Sequence, residues 1–478
     1  SEDAKELIRR AGIFHIVTIS GMQMTLVAGI FFVGLRRLLA TSQTLALNYP
    51  IRKWAAALAM VGAILYDIAT GSRVGTERAL IMTLIMLAAV LFDRPSLSMR
   101  NLALAVFFIV AFEPEAILGA SFQLSFAAVA ALIAVYEWRG AHLARGGARG
   151  PLPPGRFSEW REALLDRLLH GPGAPLVATL CATSATASFM AYSFHELSPY
   201  VLIGNPLTLA IIEFFAIPCA LVGAALYPFG LDGFIWRWLE MGIHLVTWLA
   251  GLIAQAPGAS LSVKAFPPWA IVFLALAVLS AVLWRTWTLR ATAIPLALIG
   301  LVGAKSGPGF DIAVAATGEA AAVRLPSGEL ALLGKKPGAF AAEQWLRADA
   351  DSRAASQARA GVACDDHGCV ARLADGRHIS LVSARGAFLE DCARAAIVVT
   401  PLRAPEGCGA PIVIDRRRLA ETGAVSLLLA GDGGVQWTTA RGVEEDRPWS
   451  PRPARSERGV VAPDEEESED AGLAESME

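Results

Sequence analysis

Residues 15–35 form an apolar run that closes on Arg36 and Arg37, with Ser20, Gly21 and Gln23 set inside it. At about 1.5 Å per residue these twenty or so positions cover a hydrocarbon core of roughly 30 Å, so the pattern predicts a membrane-spanning helix. Lipid cannot solvate Ser20 or Gln23, and both are expected to turn toward other helices or a wet cavity. Further apolar segments recur at about residues 52–69, 74–92, 100–113, 117–138, 174–194, 201–227, 234–255, 268–284 and 288–304. The pattern therefore predicts an all-α polytopic membrane bundle of about ten transmembrane helices over residues 1–304, the fourth and last spans being short.

The pattern changes after residue 304. Short Val/Ile/Leu-rich runs at 320–325, 330–333, 379–382, 396–400 and 426–429 alternate with Gly, Pro and Asp turns, which predicts a small mixed α/β, strand-rich domain over 305–445. Residues 446–478 are acidic, offer no core-forming positions and are expected to be disordered.

Composition agrees with a chain that faces lipid: 478 residues are 55% hydrophobic with a mean hydropathy of +0.49. The formal net charge of -2 is unevenly spread and says nothing about a nucleic-acid partner. Basic residues crowd the connections at 36–53, 94–100 and 285–290 and the long Gly/Pro-rich loop 139–173, whose residues 158–169 are amphipathic. The positive-inside rule makes these connections cytoplasmic, the N-terminus external and the strand-rich domain extracytoplasmic. Residues 1–10 form a charged lead without a signal-peptide pattern or initiator Met, and a truncated N-terminus is expected.

Four of the six cysteines, Cys364, Cys369, Cys392 and Cys408, fall in the polar C-terminal part. Four thiolates are able to bind Zn²⁺ tetrahedrally, but an oxidising compartment favours two disulfides, with the pairing left open by residue order.

Four segments carry a resemblance when taken in order: Phe14, His15, Ser20, Gly21 and Gln23; then Thr70, Gly71, Glu77, Arg78 and Ala79; then Ser121, Phe122, Gln123 and Ser125; then Asn205, Pro206 and Leu207. In order and spacing they resemble the ComEC-type competence proteins, polytopic membrane channels of bacterial DNA uptake. The resemblance covers residues 5 to about 300. It implies import of single-stranded DNA across the inner membrane during natural transformation, with a DNA receptor and a cytoplasmic helicase as partners. It also implies transport rather than enzymatic chemistry for the membrane part. Many members carry a metallo-β-lactamase-like C-terminal domain, and residues 305–445 resemble a degenerate one. A binuclear metallo-hydrolase needs a cluster of His and Asp, whereas residues 310–440 contain only His367 and His378, so that nuclease chemistry is not expected here. Gln23 stands where the family usually has His; it keeps hydrogen bonding but gains no charge.

Each polar residue of the spans has a bland and a functional reading. Ser20 and Gln23 lie about 60° apart on a helical wheel, able to face a lumen or to tie helices together. His15 reads as an interfacial or packing residue. Glu77 and Arg78 are helix neighbours about 100° apart and need separate partners. Arg78 suits either a phosphate or an ion pair with Asp67 or Glu213. Ser121 and Ser125 share a face and Gln123 points elsewhere, marking an interior helix. Asn205-Pro206 predicts a break or helix start at that point, with Glu213 two turns later on a similar side. Glu240 and His244 stand four residues apart, between Trp236 and Trp248, as a possible proton-coupling pair. The path residues are therefore Ser20, Gln23, Arg78, Gln123, Ser125, Asn205 and Glu213. The competing functions are a proton-coupled transporter of a smaller solute and a membrane-anchored hydrolase.

Overall fold

Without water, an apolar segment satisfies its backbone groups most simply as a helix, and the chain up to Lys305 is built almost wholly of helices. α1 (Gly21–Ala40) and the short α2 (Gln43–Asn48) lead to α3 (Ile51–Thr70), α4 (Val74–Leu91), α5 (Met99–Phe112), a 3-10 turn at Pro114–Leu118 and α6 (Ala120–Ala148). α7 (Arg156–Leu169) and α8 (Ala174–Phe194) precede β1 (Glu196–Leu197), α9 (Val201–Ile211), a π turn (Ile212–Ala216) and α10 (Ile217–Leu226). α11 (Gly233–Ala254), β2 (Leu261–Ser262), α12 (Pro268–Leu283), α13 (Trp287–Arg290) and α14 (Ala293–Lys305) complete the series. The computed structural model describes residues 7–8, 11–13, 21–148, 156–169, 171, 173–305, 309–334, 339–430 and 434–441. His15, Ser20 and the acidic segment 446–478 lie outside the described residues. Contacts divide the chain into two units, Ser1–Pro308 and Gly309–Glu478.

Among the described residues five helices are long and apolar enough to cross a membrane: Gly21–Ala40, Ile51–Thr70, Ala120–Ala141, Ala174–Phe194 and Trp287–Lys305. Met99–Phe112, Val201–Ile211, Ile217–Phe229 and Pro268–Leu283 are apolar but shorter. The helices pack through small side chains. Ala56, Ala59 and Ala63 of α3 meet Met24 and Ala28 of α1 and Ala79, Leu87 and Val90 of α4. Small interface residues let helix backbones approach where apolar burial alone provides no drive.

Hydrogen bonds between connections sort them to two ends of the helical unit. At one end Lys53 Nζ meets Asp93 Oδ2 at 2.6 Å, and the Met99 N–H donates to Glu137 Oε1 at 3.0 Å. Tyr136 donates to the Leu169 carbonyl at 3.2 Å there, which gathers the basic connections 36–53, 94–100 and 139–173. At the other end β1 pairs antiparallel with β2, and Ser198 Oγ donates to the Ala259 carbonyl at 2.8 Å.

The expected break at Asn205-Pro206 is corrected. Pro206 sits inside a continuous α9, and the interruption is the π turn that carries Glu213. The reason is the second proline, Pro218, at the start of α10. Just before it the Ile217 N–H bonds to the Ile212 carbonyl, a five-residue step that widens the helix where Pro218 supplies no donor.

In the second unit the strands are β3 (Ile312–Val314), β4 (Ala321–Arg324), β5 (Leu330–Leu333), β6 (Val362–Cys364), β7 (Gly368–Arg372), β8 (His378–Val382), β9 (Ile397–Val399), β10 (Ile412–Ile414), β11 (Val425–Leu429) and β12 (Val435–Thr439). The helices between them are α15 (Ala339–Ala348), α16 (Phe388–Arg394) and α17 (Arg416–Thr422). One sheet, in order β12-β11-β3-β4-β5, is antiparallel throughout. The other, β10-β9-β8-β7-β6, joins β8, β9 and β10 in parallel and the rest antiparallel.

The period of two along each strand explains how the sheets stack. Ile312, Val314, Ala321 and Val323 face Ile379, Leu381, Ile397 and Val399 across a shared core. The alternate residues Ala313, Ala322, Leu330 and Leu332 pack under Ala342 and Leu346 of α15. Val382 and Val398 pack under Phe388 and Cys392 of α16. The result is a four-layer α/β/β/α sandwich whose central strands are apolar on both faces.

Candidate functional site

A tight turn between α3 and α4 starts the site. Gly71 takes a left-handed conformation (φ +84°) to end α3, and the Asp67 carboxylate accepts from Ser72 Oγ at 2.9 Å behind it. α4 then begins with a reciprocal cap: the Arg73 N–H donates to Thr76 Oγ1 at 2.9 Å, and Thr76 Oγ1 donates to the Arg73 carbonyl at 2.8 Å. Glu77 is exposed in this first turn, where its charge complements the helix dipole.

Arg78, one residue on, is buried at 7% exposure. Its guanidinium donates to Ser121 Oγ near the start of α6, and the Glu113 carboxylate at the end of α5 acts on it electrostatically. Its Nε is buried without a hydrogen-bond partner. The expected alternative partners Asp67 and Glu213 do not hold Arg78; Asp67 is engaged by Ser72. Gln123 is half-buried and donates to the Ile117 carbonyl at 3.1 Å, closing the 3-10 turn before α6. Ser125 is exposed on α6, one turn beyond Ser121.

Three of the four sequence segments meet here, and the fourth, at Asn205, packs against the N-terminal segment. Gly21 opens α1 so near α4 that an added Cβ would stand 3.3 Å from Ala79 Cβ, beside Arg78. Gln23, half-buried, follows on the same helix and is engaged in a polar or ring contact. Gly204 lies where a Cβ would meet Ile13 at 3.2 Å, which joins the start of α9 to the N-terminal segment. Asn205 is buried at 7% exposure with Oδ1 unpartnered, and Thr208 Oγ1 bonds back to the Gly204 carbonyl at 2.7 Å. Glu213 is half-buried in the π turn, farther along the same helix.

Glu240 and His244 are placed differently. Their side chains stand 3.8 Å apart on α11 at 70% and 77% exposure, whereas α11 buries Gly242, Val246 and Ala250.

The four C-terminal cysteines pair as Cys364–Cys369, directly opposite each other on β6 and β7, and Cys392–Cys408, which ties α16 to the following loop. Their Cα separations are 4.0 Å and 5.0 Å. His367 lies in the β6–β7 turn, where its N–H and that of Gly368 both donate to Asp365 at 2.8 Å. Those donors hold the Asp365 carboxyl below the usual range. Among the described residues no group of three or more His, Cys, Asp or Glu side chains is arranged to hold a metal ion.

Sequence reasoning found Arg78 and Ser121 but not their pairing, nor Glu113 as the nearby charge. The signal available was weak: a lone acid just before a Pro turn and an arginine one helix earlier.

No solved structure matches the chain. A curated relative, described as "Competence protein ComA" from Neisseria gonorrhoeae, is 30% identical over 234 residues, covering 48% of this chain and 31% of the relative. The chain thus matches about a third of that relative's length. The family model described as "Competence protein" matches residues 1–288, the helical unit that contains Arg78, Ser121 and Asn205. The chain belongs to the competence protein family.

Proposed function

We propose that this chain is an inner-membrane channel that admits single-stranded DNA during competence, with about ten helices crossing the bilayer. The observation that carries the reading is the buried Arg78, held by Ser121 where the segments of Gly21, Arg78 and Ser121 meet. A polyanion cannot enter bare hydrocarbon, and a guanidinium with a free Nε offers a phosphate a charge-assisted contact in exchange for a neutral hydroxyl. A lining that is otherwise neutral, with Gln23, Gln123, Ser125 and Asn205, suits transit, since many fixed cations would trap the strand. Ser20 belongs to the same proposed path.

The basic connections gather at the opposite end, which by the positive-inside rule supports an external mouth at Arg78 and a second unit outside the cytoplasm. Two cysteine pairs at bonding distance support an oxidising location for that unit. Its four-layer architecture supports a degenerate metallo-β-lactamase-like domain, without metal-dependent nuclease chemistry. A DNA receptor outside and a helicase in the cytoplasm are the partners this role calls for.

The test is uptake of labelled DNA in a strain lacking the chain. Wild type restores uptake, and Arg78→Ala lowers it at least about tenfold, as expected for losing a charged hydrogen bond worth roughly 1.5–3 kcal/mol. Arg78→Lys restores part of it, because the charge remains and the fork geometry is lost. Unchanged uptake in the strain without the chain rejects the proposal.

A further inference from the structure

α6, α8 and α12 meet in one apolar cluster at the end of the helical unit that carries β1 and β2, through Leu124 and Ala127 of α6, Phe189 of α8 and Leu274 of α12. Farther from that end the three helices do not close on one another. They leave a crevice of about 240 Å³ between Ala131, Ala134 and Val135 of α6, Cys181 of α8 and Val282 of α12. These walls are small and apolar, so they neither fill the gap nor offer a water molecule the polar partners it needs. Trp138 and Arg290 complete the lining. From Ala131 to Trp138 the crevice follows two turns of α6, about 10 Å. α6, α8 and α13 contribute through Ala120–Ala141, Ala174–Phe194 and Trp287–Lys305, three of the segments long and apolar enough to cross a membrane.

The end at Arg290 has the chemistry of a headgroup layer. Trp138, Trp284 and Trp287 are all exposed, and amphipathic indoles gather at membrane interfaces. Arg285, exposed in the same turn between α12 and α13, adds a second positive charge. Ser280 Oγ and Thr292 Oγ1, 2.6 Å apart, brace that turn, and Arg290 Nε donates to the Trp284 carbonyl at 2.6 Å. The bond orients the guanidinium and leaves its Nη groups to meet an acceptor as a fork. A phosphodiester suits the fork, and two neighbouring cations disfavour a headgroup that carries its own ammonium. A crevice apolar along its length and cationic at one end is complementary to an acyl chain with an anionic head. We propose that it binds an anionic phospholipid, an acyl chain lying along Ala131, Ala134 and Cys181 and the phosphate held by Arg290. The inference rests on the helical unit lying in a bilayer and is independent of what the channel carries.

The full chain carrying Cys219→Ser keeps Cys181 as the single free thiol among the described residues, so its alkylation by an uncharged maleimide reads the crevice directly. In detergent micelles, saturating phosphatidylglycerol is expected to slow that alkylation at least about tenfold. Phosphatidylcholine with the same acyl chains, and inorganic phosphate, leave the rate unchanged. Arg290→Ala raises the phosphatidylglycerol needed for half protection about tenfold, as expected for losing a charge-assisted hydrogen bond, and Arg290→Lys restores part of it. Ala281→Trp fills the crevice from the α12 wall with Arg290 intact, and lowers the phosphatidylglycerol that co-purifies with the chain. Equal protection by phosphatidylcholine overturns the inference, because the crevice then takes any acyl chain; protection by inorganic phosphate overturns it because no chain is needed. So do the absence of protection by phosphatidylglycerol and protection that survives both Arg290→Ala and Ala281→Trp. DNA uptake is not part of these readouts, so their failure is distinct from failure of the channel reading.

Discussion

The two units of this chain place apolar side chains in opposite ways. In the helical unit the fully buried positions are largely alanines, among them Ala55, Ala56, Ala59 and Ala63 of α3. Large residues such as Leu38, Phe107, Phe112 and Val302 point outward. In the sandwich unit Ile312, Leu332, Leu381, Ile397 and Ile414 are fully enclosed. Water rewards enclosing a large apolar side chain with about 1.5–3 kcal/mol, whereas lipid tails solvate leucine as well as a neighbouring helix does. In the helical unit the interior residues are therefore those that let backbones approach, and in the sandwich those that fill volume. One chain folds against two solvents, and each interior records which.

The comparison breaks most visibly in the sandwich core. Leu381→Ala removes a side chain enclosed between the two sheets and is expected to cost about 2–5 kcal/mol. Hydrogen exchange on the intact protein reads this as loss of protection in β7, β8 and β9, with α1, α3 and α4 unchanged. Loss of protection across both units together would show that they do not fold as separate bodies.

The next effect concerns covalent ties, which only the sandwich unit has. Replacing Cys392 and Cys408 by Ala together opens a link over a sequence separation of 16 and is expected to cost about 3 kcal/mol. The Cys364–Cys369 link, over a separation of 5, is expected to cost about 2 kcal/mol when removed. Denaturant midpoints with and without reductant measure both. If reductant leaves the oxidised protein's midpoint unchanged while remaining able to reach the thiols, the pairs do not contribute.

What the sequence made legible follows the same division. Helix existence came from length and hydropathy, and α3, α4, α8 and α11 fall within a residue or so of the apolar segments. The break at Glu213 was displaced because two prolines, Pro206 and Pro218, compete for it, and only the backbone shows which carbonyls each leaves unpaired. The layered sandwich was not legible either. Its short runs announce strands, but which faces meet depends on pairings such as Ile312 with Leu427, more than a hundred residues apart. Arg78 with Ser121 is the corresponding case at the candidate site: each stood out alone, and a separation of 43 residues hid their contact.

The smallest effect separates charges in the two environments. Asp351 follows α15 and receives Arg353 through Nε and Nη2, the closest contact being 2.6 Å, while Arg353 Nη1 also reaches Glu329 at 2.9 Å. Burial pushes the Asp351 carboxyl up, but the Arg353 hydrogen bonds and charge outweigh it and hold the carboxyl below the usual range. A carboxyl lowered by folding stabilises the fold above the pKa of the unfolded chain, about 4, and loses that contribution as pH falls through the folded value. Asp351→Asn is therefore expected to cost about 1–3 kcal/mol at neutral pH, with the difference from wild type shrinking only below about pH 4. Denaturant unfolding of both proteins across that range checks the sign. A difference that stays constant into strong acid would mean that Asp351 acts through shape and neutral hydrogen bonds, as the uncharged contacts between the membrane helices do, and the contrast between the units would then rest on their apolar interiors alone.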